Sequence, residues 1–156
     1  MFKTIVWATD GSDAANAALP YVKGLAEGDG HKLVVVHCKE LMHGRAGGWP
    51  IYANEGDLQA KIRGQVDKLR SEGLDVTLRM KTVGAPGAAK VIADAARSFG
   101  ADVIVVGTHG HTVIGGLLVG SVTQRLLHIA HCPVLAIPAK TAVAHETEPE
   151  LVETAR

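Results

Sequence analysis

Four short runs of continuously apolar, largely β-branched residues punctuate the chain: Ile5-Val6-Trp7-Ala8, Leu33-Val34-Val35-Val36, Val103-Ile104-Val105-Val106 and Val134-Leu135-Ala136-Ile137. A strand that is apolar at every position has no face to give to water, so it must be covered on both sides. Between the runs lie longer segments of helical period. Their apolar stripes are Ala15, Ala18, Val22 and Ala26; Leu58, Ile62, Val66 and Leu69; Ala88, Ile92, Ala95 and Phe99; and Val122, Leu126, Ile129 and Ala130. This alternation specifies the α/β class, a parallel sheet with crossover helices on both faces. A further strand is expected where Val76, Leu78 and Met80 alternate with Thr77, Arg79 and Lys81, and its one wet face places it at a sheet edge. Pro20 interrupts the first helical segment, because it lacks an amide donor. The stretch from Leu41 to Gly56 holds Gly44, Gly47, Gly48 and Pro50 and shows no period, so it reads as a long loop.

Size and composition narrow the possibilities further. A chain of 156 residues with 47% hydrophobic content fills one core. The expected domain covers residues 1–138. Residues 139–156 carry Glu146, Glu148, Glu150 and Glu153 with few large apolar groups, the composition of a mobile acidic tail. Sixteen Lys plus Arg balance sixteen Asp plus Glu, which argues against a nucleic-acid or anionic-membrane partner. An aromatic content of 4% weakens any base-stacking surface. No apolar run approaches the roughly 18 residues that span a bilayer, and the N-terminus has no signal-like apolar region, so a cytoplasmic location is expected. Cys38 and Cys132 stand in apolar surroundings that suit buried, reduced thiols.

The strongest local signal follows the run that ends at Val106. Gly107, Gly110 and Gly120-Ser121 give the spacing G-x2-G-x9-G-S. With 18 glycines in the chain, that pattern is expected by chance about 0.02 times. Glycines after a strand let backbone amides approach phosphate oxygens, and a helix N-terminus adds unpaired N–H groups and a positive dipole end. The pattern is neither a Walker A loop, since no Lys or Arg occurs from Gly107 to Thr123, nor the dinucleotide G-x-G-x-x-G. Phosphate would therefore be held by backbone dipoles and the Ser121 hydroxyl. His109 and His111, like His128 and His131, are paired too sparsely for a metal site, and His37 on an apolar strand is most simply a satisfied core histidine.

Lys3-Thr4-Ile5-Val6-Trp7-Ala8-Thr9-Asp10-Gly11-Ser12, Val105-Val106-Gly107-Thr108-His109-Gly110-His111, Leu118-Val119-Gly120-Ser121-Val122-Thr123 and Cys132-Pro133-Val134-Leu135 together resemble the universal stress protein family, in its nucleotide-binding subgroup. The resemblance runs over residues 3–138 and implies a single Rossmann-like domain. Its five parallel strands are expected in the order 3-2-1-4-5, with ATP between strands one and four. That is the topological switch point at which open α/β sheets bind ligands. By this resemblance Ala8, Thr9 and Asp10 contact base, ribose and nucleotide, and the Cys38 backbone meets adenine. Gly107, His109, Gly110, Gly120, Ser121 and Val122 match the ribose and phosphate region, and Val106 offers backbone near the base. It further implies Mg²⁺ or Mn²⁺ bridging the phosphates, and a homodimer formed through strand five, Val134, Leu135, Ala136 and Ile137. The apolar composition of that edge strand also invites pairing.

The function expected is a cytosolic ATP-binding stress protein whose occupancy alters contacts with a protein partner that the sequence does not identify. Two alternatives stand beside it. One is a slow ATP-hydrolysing enzyme, since Thr9-Asp10-Gly11-Ser12-Asp13 has a faint likeness to the loop of ATP pyrophosphatases. The other is a binder of another adenine nucleotide, such as cyclic AMP. Efficient hydrolysis is not expected, because the glycine stretch supplies no cation for a transferring phosphoryl group.

Overall fold

The structure, a computed structural model, describes residues 2–44, 47–50, 53–109 and 119–138, and each of the four apolar runs is a strand or the start of one. In chain order the elements are β1 (Thr4–Ala8), α1 (Asp13–Asn16), α2 (Leu19–Ala26), β2 (Lys32–Gly44), β3 (Gly47–Pro50), α3 (Glu55–Ser71), β4 (Val76–Gly84), α4 (Ala88–Ser98), β5 (Val103–Gly107), α5 (Ser121–Ile129) and β6 (Val134–Ile137).

Side chains on a strand alternate between faces, and here both faces are buried. Ile5, Trp7, Leu33, Val35, Val103 and Val105 pack with Val22 and Ala26 of α2 and with Ile62, Val66 and Leu69 of α3. Val6, Ala8, Val34, Val36, Ile104 and Val106 pack on the other face with Ala89, Ile92 and Ala96 of α4 and Leu126 of α5. The chain is thus a single α/β domain with a mostly parallel sheet between two helical layers.

The first helical segment divides at its proline. The Ser12 hydroxyl caps α1 by accepting from the Ala15 N–H at 3.1 Å, and α2 restarts at Leu19 with Pro20 in its first turn, where a missing amide costs nothing. At the far end of α3, Gly73 takes the left-handed conformation with φ +92°, and its N–H donates to Arg70 C=O at 2.9 Å.

Two expectations are corrected. The sheet has six strands rather than five, in the path β3-β2-β1-β5-β6, with β4 also paired to β2, so the order 3-2-1-4-5 does not describe it in full. The parallel pairings are β2 with β1, β2 with β4, β1 with β5 and β5 with β6; β3 is the addition, antiparallel to β2. Nor is Leu41 to Gly56 one long loop: β2 runs on to Gly44, β3 returns alongside it and α3 starts at Glu55. The physical reason lies in β4, which pairs with β2 continuously from Val76 opposite Leu33 to Gly84 opposite Leu41. A partner of that length holds β2 extended well past its apolar run, and Gly47 to Trp49 pair antiparallel with Gly44 to Met42. The tail after residue 138, expected to be mobile, lies outside the described residues.

Candidate functional site

Ala8 of β1 and Val106 of β5 are partners in the sheet. Beyond them the chain leaves in opposite directions. After β1 it turns into α1 and α2, the latter packed on the first face, and after β5 it leads to α5 on the second face. The crevice opened by that divergence is the switch point of the sheet.

One wall is the turn after β1. Thr9 is buried; its N–H donates to Val36 C=O at 3.0 Å and its Oγ1 accepts from the Gly11 N–H at 3.1 Å. Asp10 Oδ1 accepts from both the Ser12 N–H at 3.0 Å and the Ser12 hydroxyl at 2.6 Å. Asp10 therefore does not cap α1 itself but orients Ser12, which does. Gly11 sits at φ +76°, where a side chain is disfavoured, and this lets the turn close so tightly.

The opposite wall joins β5 to the start of α5. The Gly120 N–H donates to Thr108 C=O at 2.6 Å, the Thr108 N–H donates to Ile137 C=O at 2.8 Å and the Thr123 hydroxyl donates to Gly107 C=O at 2.8 Å. Gly120 is the N-cap of α5 and carries no side-chain cap. The N–H groups of Ser121, Val122 and Thr123 have no intrahelical acceptor at this end of a helix, and none is seen among the described residues. His109 Nδ1 lies 3.0 Å from Thr108 Oγ1, and Val122 is half-buried against the second core face. Gly107 has a packing reason to lack a side chain: an added Cβ would lie 3.0 Å from Ala14 O, 3.1 Å from His109 O and 3.2 Å from Ala15 Cα.

Cys38 enters through its backbone. Even-numbered residues of β2 face β1, as the Lys32 N–H to Lys3 C=O and Thr9 N–H to Val36 C=O bonds show, whereas the Leu33 N–H and Leu41 C=O bond on the β4 side. The N–H and C=O of Cys38 therefore point past the end of β1. Leu41 pairs with Gly84 and also with Pro50, so β3 lies on this same edge, farther along. Among the described residues, no backbone partner is seen on the β2 edge at Cys38, between Thr9 and β3. The Cys38 thiol stands off the face of the sheet toward α4, 3.9 Å from Ala88 C=O, and burial, with the Glu40 charge assisting, pushes its pKa up to about 12.

The structure thus sets Ala8, Thr9 and Asp10 at the end of β1 beside Val106, Gly107 and His109 at the end of β5, ties Gly120, the cap that precedes Ser121 and Val122, to Thr108, and puts Cys38 on the neighbouring strand. Gly110 lies outside the described residues. Local sequence gave no sign of Lys61, whose Nζ donates to Gly11 C=O at 3.0 Å and stands 3.5 Å from Asp13 Oδ1, beside a cavity of about 320 Å³ at the start of α3. Nor did it reveal that His37 is bonded to both Thr9 and Glu55. Thr123 sits within the G-S motif region, and its two-residue offset from Ser121 was the available signal.

A sequence model of the universal stress protein family matches residues 1–138. A universal stress protein of Thermus aquaticus is 34% identical over 145 residues, covering 88% of this chain and 99% of its own. Among solved structures, that of MJ0577 from Methanocaldococcus jannaschii superposes with a TM-score of 0.69 at 25% identity, over 91% of this chain and 99% of the other. A universal stress protein crystallised in complex with cAMP has the same fold, with a TM-score of 0.60 at 22% identity, covering 88% of this chain and 98% of that one. With the family model spanning every described strand and helix, and this fold behind it, the chain belongs to the universal stress protein family.

Proposed function

We propose that this chain is a cytosolic binder of an adenine nucleotide, with ATP as the ligand, and that occupancy rather than turnover is its output. The observation that carries the reading is the start of α5: a glycine N-cap without a side-chain cap, tied by two hydrogen bonds to the end of β5 and facing the Thr9–Asp10 turn across the switch point. Three backbone N–H groups and a helix dipole converge there, which suits phosphate. The open edge at Cys38 supplies one donor and one acceptor side by side, the pattern that adenine's N1 and N6 complement. Asp10, at the turn, is the acidic group within reach of a ribose.

A divalent cation would enter bound to the phosphates, as Mg²⁺ usually does, keeping waters and drawing few ligands from protein. When bound, it neutralises phosphate charge. Among the described residues the cation at the turn after β1, Lys61, donates to Gly11 C=O, and the glycine stretch itself holds no Lys or Arg for a transferring phosphoryl group. Hydrolysis is therefore expected to be slow. A second copy is proposed to cover β6, whose Leu135 is 38% exposed on the edge beyond β5.

The test is to release any nucleotide from freshly purified protein, identify it by mass spectrometry, and titrate the stripped chain calorimetrically with ATP and Mg²⁺. ATP recovered or bound supports the reading. Gly120→Val puts a branched side chain where the phosphate would lie and is expected to weaken binding at least about tenfold with circular dichroism unchanged. Recovery of cAMP alone, the ligand named for a structural neighbour, would replace ATP in the reading, and binding of neither would end it.

A further inference from the structure

His37 and Glu55 form a buried ionisable pair that the nucleotide reading leaves unused. They come from β2 and from the first residue of α3, and are 1% and 5% exposed. His37 Nδ1 lies 3.0 Å from Thr9 C=O and Nε2 lies 2.7 Å from Glu55 Oε1, which also accepts from Gln59 Nε2 at 2.9 Å.

The partners fix the protons. A carbonyl oxygen only accepts, so Nδ1 carries hydrogen. The contact at 2.7 Å requires one further proton between Nε2 and Oε1, held either by an imidazolium facing a carboxylate or by a carboxylic acid facing a neutral ring. In both forms the pair has no net charge, and the Nδ1–H stays on Thr9.

The Thr9 carbonyl belongs to the peptide plane that joins Thr9 to Asp10. With its N–H on Val36 and its hydroxyl on Gly11, Thr9 has every polar group engaged, and the His37 bond is the one that sets the direction in which the chain enters Asp10. We infer that His37 and Glu55 are positioning residues, holding the Thr9–Asp10 turn in its ligand-ready geometry from the start of α3. The inference rests on the nucleotide reading for its purpose, though not for its geometry. Replacing a buried ion pair by apolar groups of similar volume is often neutral or stabilising, so what the pair distinctively contributes is the bond that His37 makes to Thr9 C=O.

The test compares Glu55→Gln, Glu55→Leu and the double variant His37→Leu/Glu55→Leu in the intact chain. The readouts are thermal midpoint, amide exchange at Gly11 and Ser12, and calorimetric titration with MgATP. Glu55→Gln can still donate to a neutral ring, so it should stay within about threefold of the parent in exchange and affinity. The double variant leaves the buried Thr9 carbonyl without its His37 donor, so its midpoint should fall modestly while exchange at Gly11 and Ser12 rises about tenfold and MgATP binding falls about tenfold. A folded double variant with unchanged exchange and affinity would overturn the inference. So would ¹⁵N spectra of the parent showing Nδ1 without a proton, a measurement that stands even if the variants fail to fold. If the parent does not bind MgATP, the nucleotide reading fails, and the exchange data alone decide whether the pair holds the turn.

Discussion

At Gly107 two demands meet in one residue. The sequence motif offers it to phosphate, whereas the packing sets it against α1: an added Cβ would crowd Ala14 O and Ala15 Cα of that helix and the His109 carbonyl oxygen, all backbone atoms that do not yield cheaply. Gly107→Ala should therefore destabilise the fold by about 1–3 kcal/mol, read as a lowered denaturation midpoint in the absence of any nucleotide. Cys38 makes the opposite case, a residue named for the site whose side chain takes no part in it. Its thiol rises from 9.0 to about 12 on burial, so it keeps a proton in the folded chain that it loses when unfolded. The stability this contributes is complete below about pH 9 and drains away as pH climbs toward about 12. Urea midpoints measured from pH 8 to pH 10 should fall less steeply in Cys38→Ala than in the parent. Alkylation of native Cys38 at pH 8 should be slow, and rapid once the chain is unfolded.

Among the elements, α4 takes the cap for its first turn from a strand. Its N-cap is Gly87, which offers no capping oxygen, and Glu40 of β2 accepts from the Gly87 N–H at 2.8 Å and the Ala88 N–H at 3.0 Å. A carboxylate in that place satisfies two orphan amides and meets the positive end of the helix. Glu40→Gln should cost about 1–2 kcal/mol, measured as a shift of midpoint with an unchanged denaturant slope. The same dependence on a distant partner explains what could be read of β2. Leu33 to Val36 announce a strand by composition alone, but His37 to Gly44 are strand because β4 and β3 pair with them. Gly47-Gly48-Trp49-Pro50 is mostly Gly and Pro, which do not announce a strand, and its pairing with β2 makes it β3.

For the whole molecule, the edge at β6 decides how much surface remains exposed. Among the described residues β6 pairs with β5 alone, leaving a short apolar edge with half-exposed Leu135 on it and Leu127 and Ile129 of α5 exposed nearby in sequence. If a second copy covers it, Leu135→Arg should convert a dimer to a monomer in sedimentation velocity at micromolar concentration while leaving the thermal transition cooperative. A dimer that persists places the contact elsewhere. Among the described residues no helix is long and apolar enough to cross a membrane.

The sequence by itself determined the α/β class and the two-sided core, because each is written in residues close together: an apolar run, a helical stripe. The tertiary structure alone decided the sixth strand, the direction in which the Cys38 backbone points, the Lys61 contact with Gly11 and the His37–Glu55 pair on Thr9. Those depend on which surfaces meet when helices fold back on a sheet. A hydrogen bond between residues 18 or 50 positions apart leaves no periodicity in the chain to announce it.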